Sequence, residues 1–336
     1  MRKKTLKKMF LGVSIFLCIL IIISIIIVNI TPTPIALFTR RMFEAPIAAE
    51  PLNYEVYESK VSKVKDLSYE SEYKKNNYDV YMPKDMGKGK YPTIIWVHGG
   101  AFVGGDKSDT DSFATMLASN GYIVLSINYE LAPEAKYPTP VKQLEEFYNH
   151  VSSIKTEYPI DDTQLFFAGD SAGAQIVSQF LAIQTNKEFA DSIGFDQVVP
   201  KDSIKGALLY CGPYDIDQLA NSNKKSFTTF ILNQAAWSYM GNRNYRDGEE
   251  VKEVSIVNHI TKDFPPSFIT DGNTGSFEGH GRELAKRLQD NNVEVQTLFF
   301  PKEQYQTEHE YQFKLDTEPG SKALDDSLNF LESQLN

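Results

Sequence analysis

The chain is 336 residues long, 42% hydrophobic and 23% charged, with 20 glycines, 16 prolines and two cysteines. That is the composition of a folded globular protein, and it excludes disordered, collagen-like and disulfide-stapled chains. The formal charge of −10 argues against the basic stripe of a nucleic-acid binder.

The charge is unevenly spread. Residues 1–9 form a basic segment with Arg2, Lys3, Lys4, Lys7 and Lys8, and the first thirty residues hold no acid. From Thr31 onward 44 acids face 29 bases, a balance of −15. Residues 10–30, FLGVSIFLCILIIISIIIVNI, carry no charge and only Ser14, Ser24 and Asn29 as polar side chains. A helix of that length spans roughly 30 Å, one bilayer core. A cleavable signal has a shorter apolar stretch, about 7–15 residues, and a small-residue cleavage site. Thr-Pro-Thr-Pro-Ile-Ala follows here instead. The pattern predicts a single-pass anchor in the cell membrane; the alternative is a secreted protein whose leader is removed. The basic flank puts the N-terminus in the cytoplasm and the remainder outside.

Cys18 lies in the span and Cys211 alone beyond it, so no disulfide is expected within the soluble part. No His/Cys/Asp cluster has metal-ligand spacing, and no GxxxxGK or GxGxxG loop appears. The expectation is therefore no cofactor, no metal and no nucleic-acid partner.

Residues 31–75 are read as a polar linker with one or two edge strands. Strands are expected at Asp79–Pro83 and at Pro92–Val97, a continuous apolar run of the kind buried on both faces. A helix around Asp111–Ala118 leads to a strand at Tyr122–Ser126. A loop with three prolines, Asn128–Pro140, precedes a helix at Val141–Val151. A strand at Gln164–Ala168 runs into a helix from Ala172 to about Thr185. Further strands are read at Ile204–Tyr210, Ser267–Thr270 and Val293–Phe300, with helices at Arg282–Leu288 and Ala323–Leu335. Buried strands alternating with helices imply a three-layer α/β domain over residues 76–336 with a mostly parallel central sheet. Residues 213–265, rich in Asn and aromatics, read as a cap insert.

Two motifs carry chemistry. Gly169-Asp170-Ser171-Ala172-Gly173 is a G-x-S-x-G between an apolar strand and a helix. In that setting the turn holds the serine in a strained conformation with its hydroxyl exposed, a nucleophile. His98-Gly99-Gly100-Ala101-Phe102 follows another buried strand. The N–H groups of Gly99 and Gly100, with that of Ala172, would form an oxyanion hole. His98 reads as a side chain that pins this loop.

With Asn128-Tyr129-Glu130-Leu131-Ala132-Pro133-Glu134 between them, these motifs resemble the hormone-sensitive-lipase-like esterases of the α/β-hydrolase fold. The resemblance runs from about Asp79 to the C-terminus. Glu130 stands where the family has arginine, and Ala101 where a third glycine is common. The resemblance implies an α/β-hydrolase fold and hydrolysis of a small or short-chain carboxylic ester through a Ser/His/acid triad. His309, after the last strand and before the closing helix, resembles the family's base; His280 is a distant second. The family places its aspartate three residues beyond a glycine, but from Gly272 that count lands on Gly275. Asp271 is the preferred acid and Glu278 the alternative, either able to hold the imidazole in its reactive tautomer. An amidase, peptidase or acyltransferase with the same machinery remains open, as does a catalytically silent binding protein on the hydrolase scaffold.

Overall fold

The computed structural model describes residues 2–43, 48–220 and 226–335. Helix α1 (Arg2–Ile30) contains a 25-residue apolar stretch, Leu6–Ile30, with mean hydropathy 3.3 and no part of it buried against the protein. Two residues later the chain re-enters a helix, α2 (Thr33–Met42), with Pro34 in its first turn, where the missing N–H costs nothing. The stretch expected as linker is thus partly helical. A short α3 (Tyr54–Glu58) and the edge strand β1 (Val61–Ser68) complete it.

The domain proper follows as β2 (Asn77–Pro83), β3 (Tyr91–Val97), α4 (Asp111–Ser119), β4 (Ile123–Ile127), α5 (Thr139–Ile154), β5 (Ile160–Asp170), α6 (Ala172–Thr185), α7 (Lys187–Ile193) and β6 (Ile204–Tyr210). The insert contributes α8 (Ile216–Ala220), α9 (Phe227–Met240) and α10 (Glu250–Glu253); residues 221–225 of it lie outside the described residues. Then come β7 (Ser267–Thr270), α11 (Glu278–Asp290), β8 (Val295–Leu298) and α12 (Glu318–Ser333).

The strands form one sheet in the order β1-β2-β4-β3-β5-β6-β7-β8. β2 pairs antiparallel with β1 and β4, and every pairing from β4 through β8 is parallel. Helices cover both faces, which is why the central strands read as unbroken apolar runs rather than alternating ones. The two-residue period still sorts their side chains. Ile95, Val97, Leu125, Phe167 and Leu209 join Leu144, Phe147, Ile176, Phe180 and Leu284 in one core. Ile94, Trp96, Val124, Phe166 and Leu208 join Phe113, Leu117, Phe330 and Leu331 in the other. Truncating one such fully buried phenylalanine to alanine costs about 3–5 kcal/mol.

Because β3, β5, β6, β7 and β8 run parallel, their C-terminal ends share one edge of the sheet. The loops that follow them hold His98, Ser171, Cys211, Asp271 and His309, residues scattered over more than 200 positions of sequence. Convergence at the carboxyl edge is where open α/β sheets build their sites.

Candidate active site

Ser171 joins β5 to α6 with φ 50° and ψ −118°, a backbone conformation that ordinary residues avoid. The surroundings enforce it. A side chain at Gly173 would collide with the carbonyl of Val97, so the helix can start this close to β3 only with glycine there. The Ser171 N–H donates to the Tyr210 carbonyl at 2.8 Å, tying the elbow to β6. The Ser171 hydroxyl then lies 3.0 Å from His309 Nε2.

His309 sits on the loop after β8, which side-chain and backbone hydrogen bonds stitch to the loop after β7. Asn273 Nδ2 donates to the carbonyls of Phe300 (3.0 Å) and Tyr305 (2.8 Å), and the Thr274 N–H donates to the Thr307 carbonyl at 3.0 Å. This places His309 Nδ1 2.6 Å from the hydroxyl of Ser276, which in turn donates to Asp271 Oδ1. Sequence reasoning expected the carboxylate to meet the imidazole directly; a serine stands between them. The chain of bonds fixes one tautomer: Nδ1–H donates to Ser276, leaving Nε2 to accept from Ser171.

Glu278 is not part of this chain. It opens α11 and pairs with Arg282 at 2.7 Å on the exposed side of the helix. Asp271 is 1% exposed, and burial raises its carboxyl to about 7. Burial also lowers the His309 imidazole to about 4, so the ring is a neutral acceptor at pH 7. His280, the second-choice base, lies in α11, and its Nδ1 accepts from the Asp215 N–H at 3.2 Å. Cys211 Sγ, an Asp271 oxygen and a His309 nitrogen lie within 4.8 Å of one another, a cluster no sequence spacing announced. Burial pushes the thiol well up, so Cys211 is a neutral neighbour of the acid.

The glycine loop departs from expectation at one position. The Gly99 N–H donates to Asp170 Oδ2 at 2.8 Å and is therefore not free to face a substrate. Gly100, at φ 113°, turns the chain behind it, and the Ala172 N–H is among the unpaired donors that every helix start presents. His98 is fully buried, stacks on Tyr129 at 4.5 Å, and has Nδ1 2.7 Å from the Gly99 carbonyl. It braces the loop from within. Tyr129 comes from the middle motif and donates to the His98 carbonyl at 3.1 Å.

Two further residues escaped the sequence. Glu310, beside His309 in the chain, is 3% exposed, and its Oε1 lies 3.7 Å from His309 Nε2. It faces Asp170, which also accepts the Trp96 indole N–H at 2.9 Å. Burial holds the Asp170 carboxyl up near 7 and pushes Glu310 well up too, so a proton held between them lets two carboxyl groups share one dry site. Arg40 of α2 is the other. Its guanidinium donates to the carbonyls of Val103 (2.6 Å) and Ala132 (2.9 Å) and grips both oxygens of Glu134 (3.0 and 2.6 Å). Glu130, where the family segment has arginine, accepts instead from the backbone of Lys74 and Lys75. A guanidinium does serve this segment, but it arrives from ninety residues upstream, where no local pattern reveals it.

An eight-stranded sheet in this order, with a strained serine elbow after its fifth strand, defines an α/β hydrolase. Within that class the chain belongs to the BD-FAE family, whose model matches residues 78–277. Acetyl esterases of Salmonella dublin and Salmonella typhi are each 26% identical to it over 216 residues. Those matches span 62% of this chain and 63% of the relatives' own length. Among solved structures, esterase B from Lactobacillus rhamnosis superposes with a TM-score of 0.70 at 19% identity, covering 84% of this chain and 90% of that one. An esterase from Pyrobaculum calidifontis gives 0.67 at 18% identity, covering 89% and 93%.

Proposed function

We propose that this protein is a membrane-anchored serine esterase that cleaves small carboxylic esters through an acyl-enzyme. The observation that carries the reading is the unbroken hydrogen-bond chain from Ser171 through His309 and Ser276 to Asp271, mounted on a strained elbow. Ser171 Oγ attacks the ester carbonyl while its proton passes to His309 Nε2. The imidazolium is stabilised through Nδ1–H to Ser276 and, beyond it, the Asp271 carboxylate. With the Gly99 N–H held by Asp170, the N–H groups of Ala172 and Gly100 are the donors left in this reading to meet the oxyanion. Collapse of the tetrahedral adduct breaks the bond to the alcohol oxygen, which takes the proton from Nε2. Water then repeats the sequence on the acyl-serine, releasing the acid and restoring the hydroxyl.

The names of the Salmonella relatives support a short acyl group such as acetyl. Membrane attachment rests on Leu6–Ile30, with the basic flank cytoplasmic and the catalytic domain on the outer face. Two experiments test the reading. The purified full-length protein in detergent should hydrolyse 4-nitrophenyl acetate and lose a fluorophosphonate label on Ser171→Ala; an inactive, unlabelled wild type would refute it. Protease added to intact cells should cleave the domain while sparing a tag at the N-terminus, and the reverse pattern would overturn the topology.

A further inference from the structure

The cap is fastened to the membrane end of α1 with no tether between them. Gln234 of α9 donates to the carbonyl of Val28 at 3.3 Å, and Arg243 donates to Asn29 Oδ1 at 3.0 Å. Both acceptors belong to the last turn of the apolar helix. Where that helix spans a bilayer, α9 lies at the hydrocarbon boundary. So does the start of α2, since the two residues between the helices reach at most about 10 Å.

The surface presented there is apolar. Leu37, Phe38 and Met42 of α2 are 42%, 53% and 59% exposed, and Phe227 and Phe230 of α9 are 69% and 38% exposed. Beside them a cleft of about 370 Å³ is lined by Asn29, Gln234, Trp237, Arg243, Arg246 and Asp247. Arg243 stands over the Trp237 ring at 5.7 Å, and Arg246 over Tyr245 at 5.8 Å. In a domain with a balance of −15, cations paired with aromatic rings at the end of the span suit phosphate headgroups. The same two helices roof the catalytic loop: Arg40 of α2 holds Val103 and Ala132, and Tyr239 of α9 stacks on Phe102 at 4.0 Å. The two helices pack against each other, and Thr39 Oγ1 in α2 and the hydroxyls of Ser238 and Tyr239 in α9 are buried without partners among the described residues.

We propose that the outer face of α2 and α9 rests in the lipid headgroup layer, and that the ester cleaved at Ser171 is an amphiphile drawn from that layer. This rests on the esterase and anchor readings above and extends them to the substrate class. The test compares two acetyl esters with the full-length protein reconstituted in phosphatidylcholine vesicles: hexadecyl acetate in the bilayer and 4-nitrophenyl acetate in the water. The double variants Leu37→Ser/Phe38→Ser and Phe227→Ser/Phe230→Ser should lower kcat/KM for the bilayer ester about tenfold and change the soluble ester less than twofold. An unchanged ratio between the two esters, or a wild type that cleaves only the soluble one, overturns the proposal. A readout independent of catalysis is the fluorescence of Phe38→Trp and Phe230→Trp in vesicles with brominated acyl chains. Quenching beyond the wild-type background is expected, and its absence in both variants overturns the placement even where esterase activity is intact. Loss of activity on both esters in the wild type would instead refute the esterase reading, leaving the quenching to decide the placement alone.

Discussion

The two arms that meet at His309 are built on different principles. The serine arm is a matter of steric necessity: strand, turn and helix approach so closely that Gly173 admits no side chain, and Ser171 is driven to φ 50°. The acid arm is a matter of stitching. The loops after β7 and β8 are held by Asn273, and the carboxylate reaches the imidazole only through Ser276. An arm built from backbone collisions leaves a motif; one built from side-chain bonds between distant loops does not.

Substitutions test that contrast in descending order of effect. Ser171→Ala removes the attacking atom and should lower kcat for 4-nitrophenyl acetate by about 10⁴-fold or more, with the melting temperature nearly unchanged. Activity within tenfold of wild type would place the nucleophile elsewhere. Asp271→Asn keeps shape but removes the charge that stabilises the imidazolium, and a loss of about 10³–10⁴-fold in kcat/KM is expected. It carries a pH signature as well. Burial holds Asp271 protonated up to about 7, so the wild-type profile should rise as pH passes through that value and the Asn variant should lack the limb.

Ser276 sets the finer distinction. As a positioning residue it should cost less, about 10–100-fold on Ser276→Ala, with Ser276→Thr restoring most of the loss because its hydroxyl can occupy the same bridge. Since the pair acts as one unit, Asp271→Asn/Ser276→Ala should be no slower than Asp271→Asn alone. Additive losses in the double variant would mean that Ser276 acts independently of the acid.

The contrast also explains what the sequence could and could not disclose. The sheet was legible because short runs such as Ile94–Val97 and Leu165–Ala168 are continuously apolar, the pattern of strands covered on both faces. Ser171 and the elbow were legible because tight packing dictates residue type at fixed spacing. Ser276 was passed over because counting from Gly272 looked for carboxylates alone, and nothing in a serine's local sequence signals a partner 33 residues away. Gly99 misled for the opposite reason. A Gly-Gly turn advertises free N–H groups, yet one of them is consumed by Asp170, the residue inside the serine motif itself. Arg40 was hidden by the polar, motif-free stretch taken for a linker, although α2 binds the loop after β3 through that side chain.

The smallest effect concerns Asp170 and Glu310, which join the two arms beneath the catalytic atoms. In the unfolded chain both carboxyls ionise near pH 4. In the folded chain burial holds Asp170 near 7 and also raises Glu310 well above its usual range, so above pH 4 the folded state binds more protons than the unfolded one. Stability must then fall as pH rises through that window, by up to about 1.4 kcal/mol per pH unit for each group, and level off below it, where both states are protonated. Glu310→Gln keeps a donor facing Asp170 but removes the shared proton, and Asp170 can then ionise against an amide. The variant should flatten the pH dependence of the melting temperature in detergent by roughly 2–4 °C per pH unit between pH 5 and 7. An identical slope in wild type and variant would show that the pair does not share a proton. Asp170 would then be ionised throughout that range, bonded only to Trp96 and Gly99.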